Sequence, residues 1–207
     1  MQPIDVVMKA GPVIAVLVVE RAEDALPLAR ALVAGGVTTL EITLRTAAAL
    51  DAIRAIAGEV ENALVGAGTV LFPADAKAAK AAGAGFAVSP GLIPDLAKAC
   101  RHEGLPLLPG VATASEIMAG LELGFDRLKF FPAETSGGAA AVKAFAGPFA
   151  KVRFCPTGGI TPANAPDYLR LPNVDCVGGS WLAPADAVRA GDWGRIEALA
   201  RGAAALA

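Results

Sequence analysis

Residues 13–44 read VIAVLVVERAEDALPLARALVAGGVTTLEITL, and this stretch decides the fold. The run Val13–Val19 is short, apolar and rich in β-branched residues, which is typical of a buried strand. Ala22–Ala34 is rich in Ala and Leu and predicts a helix, and a second β-branched run begins at Val37. A nearly continuous apolar strand followed by a helix and another strand predicts parallel strands that helices cover.

The same alternation continues along the whole chain. Strand-like runs begin near Val13, Val37, Ala63, Phe86, Pro106, Arg127, Val152 and Val174. Helical patterns lie between them, over Ala22–Ala34, Ala47–Ala57, Pro73–Ala82, Pro94–Glu103, Ala114–Leu123, Gly138–Ala146 and Pro162–Leu169. A short helix is expected over Ile4–Ala10, and a final helix from about Trp193 to the end. Pro73, Pro94 and Pro162 are expected in the first turns of their helices, where a missing N–H costs nothing.

Eight strand–helix units in 207 residues predict an α/β protein, a (β/α)8 TIM barrel formed as one domain over residues 1–207. An open, doubly wound sheet is the alternative. No G-x-G-x-x-G motif opens a helix after the first strand, and the strand–helix units repeat at similar spacing without interruption. Both observations favour the barrel.

Composition excludes several classes of protein. Lys and Arg number 18 against 20 Asp and Glu, giving a net charge of −2 without a basic block, so no nucleic-acid partner is expected. The mean hydropathy is +0.53, but Val13–Val19 is far shorter than the roughly 20 residues of a membrane span. We therefore expect a soluble, cytoplasmic protein without a membrane partner or targeting segment. Three widely spaced cysteines and a single histidine predict reduced thiols and no metal site.

The sixth strand, residues 127–132, reads RLKFFP and places a lysine in an apolar setting. Strand alternation puts Lys129 on the face opposite Leu128 and Phe130. Lys129 can reach the rim of the barrel or pair with a carboxylate. A desolvated lysine is also driven toward its neutral form, which is a nucleophile that forms Schiff bases with carbonyl groups.

The second strand holds a lone carboxylate, Glu41, between Leu40 and Ile42. Its structural role would be an ion pair with Lys129 or Arg45, and its functional role would be that of a general base and acid. The two interpretations are compatible at a barrel mouth. Arg45, just past this strand, offers a planar fork for a substrate carboxylate, and Thr69 after the third strand offers a hydroxyl to the same group.

Paired glycines follow the last two predicted strands. Thr157, Gly158 and Gly159 follow the seventh strand, and Gly178, Gly179 and Ser180 follow the eighth. Loops of this kind, with a helix start close behind, present backbone N–H groups to phosphate in barrels of this class.

Six segments together resemble 2-keto-3-deoxy-6-phosphogluconate (KDPG) aldolases, a family that often also acts on 4-hydroxy-2-oxoglutarate (KHG). They are Leu44–Thr46, Gly66–Leu71, Val88–Leu92, Leu128–Glu134, Arg153–Ile160 and Gly178–Trp181. The resemblance runs in order over nearly the whole chain. One departure is the alanine-rich stretch at residues 136–141, which leaves that loop and helix start open.

The resemblance implies a role for each matching residue. Lys129 would form the imine and Glu41 would accept and donate protons. Arg45, Thr69, Pro90 and Phe131 would hold or shape the site for the pyruvate moiety. Gly158, Gly159, Gly179 and Ser180 would hold the phosphate.

The implied reaction is cleavage of 2-dehydro-3-deoxy-6-phosphogluconate into pyruvate and glyceraldehyde 3-phosphate by a cytoplasmic homotrimer, without cofactor or metal. KHG cleavage as the main activity is an alternative. A phosphosugar isomerase or epimerase on the same barrel would share the phosphate loops but would not need the lysine. A barrel that binds phosphosugars without catalysis is the third alternative.

Overall fold

The computed structural model describes residues 3–206, in which helices alternate with parallel strands. The strands are β1 (Val13–Leu17), β2 (Thr39–Thr43), β3 (Leu64–Gly68), β4 (Ala87–Val88), β5 (Leu107–Leu108), β6 (Gly110–Val111), β7 (Arg127–Phe130), β8 (Arg153–Pro156) and β9 (Val177–Gly179). The helices are α1 (Pro3–Met8), α2 (Ala25–Ala34), α3 (Ala49–Glu59), α4 (Pro73–Ala81), α5 (Pro94–His102), α6 (Ala114–Glu122), α7 (Gly138–Phe145), α8 (Ala165–Leu169), α9 (Ala185–Ala190) and α10 (Trp193–Ala204). Short 3-10 turns cover Ala22–Asp24 and Glu134–Ser136.

The strands form two parallel sheets, in the orders β5-β4-β3-β2-β1-β9 and β6-β7-β8. Pro109 alone separates β5 from β6. Isolated bridges join Phe154 to Val174 and Thr157 to Gly178, which brings β8 beside the chain that forms β9. The result is an α/β fold in which parallel strands curve and carry their helices on the outside.

The apolar side chains divide into two cores. The larger core lies between strands and helices and includes Leu40, Ile42, Leu128 and Phe130. The smaller core consists of Ile4, Val7, Met8, Ile14, Phe86, Val88, Leu108, Cys155 and Cys176. Because alternate residues of a strand face opposite sides, this second set fills the inner face of the curved sheets. Three of its members come from α1, which therefore covers the N-terminal ends of the strands.

The predicted alternation is confirmed, with corrections at four elements. Pro73 and Pro94 lie in the first turns of α4 and α5, as predicted. The prediction for Pro162 is wrong, because α8 begins only at Ala165 and carries Pro166 in its first turn. The side chains of Thr161 and Asn164 each bond the other residue's backbone N–H, which favours a turn over a helix there.

The other corrections concern the fifth and eighth strands and one helix. The predicted fifth strand is interrupted at Pro109, which lacks the N–H that a ladder needs. The eighth begins at Val177 rather than Val174, where only an isolated bridge forms. Helix α9 was not predicted, and α10 ends at Ala204 within the described residues. In residues 3–206, no helix combines the length and apolar character needed to cross a bilayer.

Candidate active site

Lys129 and Glu41 meet inside the curve of the sheets. Leu128 and Phe130 belong to the outer core, so Lys129, which alternates with them on β7, faces inward. Glu41 on β2 does the same between Leu40 and Ile42. Lys129 is 5% exposed and Glu41 is 3% exposed, and Lys129 Nζ lies 3.4 Å from Glu41 Oε1. The structure thus confirms the predicted lysine–glutamate pair, with Lys129 rather than Arg45 as the ion-pair partner of Glu41.

The amine of Lys129 has few hydrogen-bond partners in this pair's surroundings. Within residues 3–206, Glu41 is the sole hydrogen-bond partner of Nζ, although an ammonium group has three donors. The ring of Phe131 lies 5.0 Å from Nζ and offers its electron-rich face. Gly68 on β3 makes room for the carboxylate, since a Cβ there would stand 2.5 Å from Glu41 Cγ. An amine with few partners beside a carboxylate can attack a carbonyl group and exchange protons.

The predicted pyruvate-binding residues follow neighbouring strands at their C-terminal ends. Arg45 lies two residues beyond β2 and is exposed, Thr69 follows β3 directly, and Pro90 lies two residues beyond β4. Thr69 has a φ of 56°, in the left-handed region that β-branched residues avoid. Backbone strain of this kind is concentrated at functional sites. These residues therefore surround the same end of the sheets as Glu41.

The two glycine loops lie side by side at this end. Thr157 forms a parallel bridge with Gly178, and Ser180 directly follows β9 with an exposed side chain. The backbone N–H groups of Gly159 and Ile160 find no acceptor in the part of the chain described. The loops therefore present unpaired donors suited to an anion.

One part of the phosphate prediction is wrong. The expected helix start close behind Gly159 is absent, because α8 begins at Ala165. The field of a helix N-terminus falls off within one turn, so loop amides rather than a helix end would bind the anion.

Three polar residues around the glycine loop were missed by sequence reasoning. Glu134 N donates to Gly158 O at 3.1 Å, and Asn164 Nδ2 donates to Gly159 O at 3.0 Å. Tyr168, buried on α8, donates its hydroxyl hydrogen to Glu134 Oε1. The available signal for Glu134 was its place at the end of the Leu128–Glu134 segment, and Tyr168 is the only tyrosine of the chain.

The cysteines are all buried, and Cys155 stands beside Lys129 in the register of β7 and β8. All three are buried free thiols. Burial raises the pKa of Cys100 to about 11, and a hydrogen bond with Cys155 together with burial raises the pKa of Cys176 well above its ordinary value. Thiols in this state are poor nucleophiles. Within residues 3–206, no group of three or more His, Cys, Asp and Glu side chains is placed to hold a metal ion.

Comparison with known proteins places this geometry among aldolases. Residues 4–199 match the family model described as KDPG and KHG aldolase. The KHG/KDPG aldolase of Escherichia coli K12 is 58% identical over 195 residues, which cover 94% of this chain and 92% of that protein. The 2-dehydro-3-deoxy-phosphogluconate aldolase of Zymomonas mobilis is 54% identical over 206 residues, covering 100% of this chain and 97% of the relative.

Two solved structures of KDPG aldolases also match this chain over nearly its whole length. A crystal structure of the Zymomonas mobilis ZM4 KDPG aldolase with 3-phosphoglycerate matches with a TM-score of 0.94 and 53% identity, covering 100% of this chain and 97% of that one. The Legionella pneumophila KDPG aldolase, with pyruvate captured at low pH as a covalent carbinolamine, matches with a TM-score of 0.95 and 47% identity, covering 99% and 98%. The chain therefore belongs to the KDPG and KHG aldolase family.

Proposed function

We propose that this chain is a class I aldolase that cleaves 2-dehydro-3-deoxy-6-phosphogluconate into pyruvate and glyceraldehyde 3-phosphate in the Entner–Doudoroff pathway. The observation that carries the proposal is the buried pair of Lys129 and Glu41, whose amine and carboxylate are 3.4 Å apart. Relatives named as aldolases of this substrate, and the carbinolamine of pyruvate in the Legionella protein, support it.

The chemistry begins at Lys129. Glu41 takes a proton from Nζ, the neutral amine attacks the C2 ketone, and Glu41 returns that proton to the hydroxyl group of the carbinolamine, which leaves as water to give a cationic imine. Glu41 accepts the proton of the C4 hydroxyl as the C3–C4 bond breaks. The electron pair of that bond moves into the C2–C3 position and neutralises the imine as an enamine. Glyceraldehyde 3-phosphate leaves, Glu41 returns a proton to C3, and hydrolysis frees pyruvate and Lys129.

The remaining residues bind the two charged ends of the substrate. Arg45 and Thr69 would hold the carboxylate of the pyruvate moiety, and Pro90 and Phe131 would shape its pocket. Thr157, Gly158, Gly159, Gly178, Gly179 and Ser180 would hold the phosphate. The unpaired N–H groups after β8 and the position of Thr69 beside Gly68 support this assignment.

Cleavage of KHG to pyruvate and glyoxylate is the second candidate. The Escherichia coli relative is named for both substrates, and the chemistry at Lys129 is the same for each. Beyond C4, KDPG carries a phosphorylated two-carbon unit and KHG carries a carboxylate, so the ratio of their kcat/KM values shows which substrate the enzyme prefers. If the loops after β8 and β9 bind phosphate, the phosphorylated substrate has the higher value.

Borohydride trapping tests the proposal directly. Reduction in the presence of pyruvate should leave a stable secondary amine on Lys129, located by mass spectrometry of its peptide. Lys143 and Lys151, which are exposed, serve as internal controls and should remain unmodified. A phosphosugar isomerase or epimerase, or a barrel that only binds phosphosugars, would leave Lys129 unmodified and release no pyruvate in a coupled dehydrogenase assay.

We extend the proposal to the architecture and assembly. A closed (β/α)8 barrel formed as one domain is supported by the bridges beside β9 and by the single-residue break at Pro109. A location in the cytoplasm is supported by the buried free thiols, and assembly into a homotrimer is supported by exposed apolar side chains, namely Leu71, Phe72, Ile93, Met118 and Leu121. Sedimentation analysis should give three times the mass of one chain, and Phe72→Glu should weaken the assembly.

A further inference from the structure

Hydrogen bonds to its carbonyl groups hold the turn at Gly158 and Gly159. Both glycines have positive φ, 98° and 78°, which other residues adopt at a cost. Gly158 O accepts from Glu134 N, and Gly159 O accepts from Asn164 Nδ2. With both carbonyl groups bound, the N–H groups of Gly159 and Ile160 stay unpaired within the described chain. The turn is therefore held in one conformation before any anion arrives.

Glu134 contacts both glycines of this turn. A Cβ on Gly159 would stand 2.6 Å from Glu134 Cγ, so the glycine lies directly against this side chain. The carboxylate would repel a bound phosphate or compete for the same amides if it moved freely. Tyr168 prevents this movement, because its hydroxyl group donates to Glu134 Oε1 from a position that is 1% exposed. Burial and the bonded carboxylate raise the pKa of Tyr168, so it remains a donor at neutral pH.

We propose that Tyr168 and Glu134 are positioning residues for the phosphate end of the substrate. Neither touches the reacting carbons, and both act through the amides of the glycine turn. The inference rests on the proposed function, since it assigns the loop after β8 to the phosphate. Loss of the Tyr168 hydroxyl should weaken phosphate binding without changing chemistry at Lys129.

Tyr168→Phe tests this assignment, because it removes one oxygen and keeps the ring in the core. KM and kcat are measured with KDPG and with KHG, which has no phosphate. KM for KDPG should rise about five- to tenfold, the effect of losing a hydrogen bond to a charged group. kcat for KDPG and both constants for KHG should stay within about twofold.

Two results would overturn the inference: KM values that rise equally for both substrates, or no change with either. Inorganic phosphate gives a readout that does not depend on turnover. It should raise the melting temperature of the parent more than that of Tyr168→Phe, and equal shifts or none would count against the inference. A chain that cleaves neither substrate would refute the proposed function, while the phosphate melts would still decide the role of Tyr168.

Discussion

Strand β7 carries two inward-facing cations, and they sit in contrasting environments. Arg127, at the N-terminal end of the strand, donates from Nε to Asp5 Oδ1 at 2.7 Å and also lies near Asp126 and Asp175. Lys129, two residues on, meets one carboxylate oxygen at 3.4 Å. Asp5 belongs to α1, so the Arg127 contacts hold that helix over the N-terminal ends of the strands.

The difference separates an ion pair that stabilises the fold from one that is available for chemistry. A guanidinium group stays charged and binds several carboxylates in a fixed geometry. Lys129, with one long contact, keeps donors without partners among the described residues, as the nucleophile role that we propose for it requires. The number and length of the contacts therefore distinguish the two ends of the strand.

The largest expected effect comes from exchanging each cation for methionine. Lys129→Met should lower kcat/KM for KDPG at least about a thousandfold, because it removes the nucleophile. Arg127→Met should keep kcat within about twofold and lower the free energy of unfolding by about 3 kcal/mol, because it removes the ion pair between Arg127 and Asp5. Steady-state kinetics and urea denaturation measure the two quantities. Comparable losses of kcat in both variants would break the distinction between the two ends.

Gly68→Ala should give the next largest effect. Its new methyl group would collide with Glu41, so the carboxylate must move from Lys129. A shift of about 1 Å at a catalytic group costs on the order of a hundredfold in kcat. Gly58→Ala is the matched control, since a Cβ on this α3 residue meets nothing within 4 Å. The control should keep full activity and gain about 0.5–1 kcal/mol of stability from its helix position; a Gly68→Ala enzyme as active as this control would contradict the assignment of Glu41.

Thr69 allows strain and binding at the mouth to be separated. Thr69→Gly and Thr69→Ala both remove the hydroxyl group, so both should raise KM for KDPG about fivefold. Only glycine adopts a φ of 56° without a steric penalty, so Thr69→Gly should be about 1 kcal/mol more stable than Thr69→Ala. Urea denaturation gives the difference. Equal stability would show that no strain is stored beside the pocket.

Local pattern was sufficient to predict much of the fold and the reactive pair. Alternation along β7 placed Lys129 on the face opposite Leu128 and Phe130, because the side-chain period of a strand is two residues, and the structure shows that this face points inward. Alanine- and leucine-rich stretches likewise located α2 to α7, with boundaries within a few residues. The role of Lys129 as a nucleophile stays a prediction until an adduct is trapped.

Two contacts of the structure could not be predicted, because each joins residues that are far apart in the sequence. Arg127 and Asp5 are 122 positions apart, and Glu134 and Tyr168 are 34 apart, so no local pattern joins either pair. The start of α8 was missed for a local reason, since hydrogen bonds between Thr161 and Asn164 replaced the first helical turn. Side-chain competition of this kind is read only once the backbone path is known.

The smallest effect is expected for Glu116, a carboxylate whose predicted role is to stabilise the fold and not to take part in the reaction. Glu116, in the first turn of α6, accepts hydrogen bonds from the backbone N–H of Ala112 and Thr113, which lower its pKa. A lowered pKa in the folded state means that the stabilisation is present above the unfolded value, near 4.3, and is lost as pH falls through the folded value. The side chain is largely exposed, so solvent screening limits the gain to less than about 1 kcal/mol.

Glu116→Gln should therefore lower the melting temperature at pH 7, leave kcat unchanged, and match the parent near pH 3. Glu122→Gln, at the C-terminal end of the same helix, is the control, because a negative charge there opposes the helix dipole and its removal should not destabilise. A Glu116→Gln deficit that persisted at pH 3 would exclude charge as its cause. A loss of kcat would place Glu116 in the pocket with Glu41 and remove the contrast between structural and reactive carboxylates at this end of the sheets.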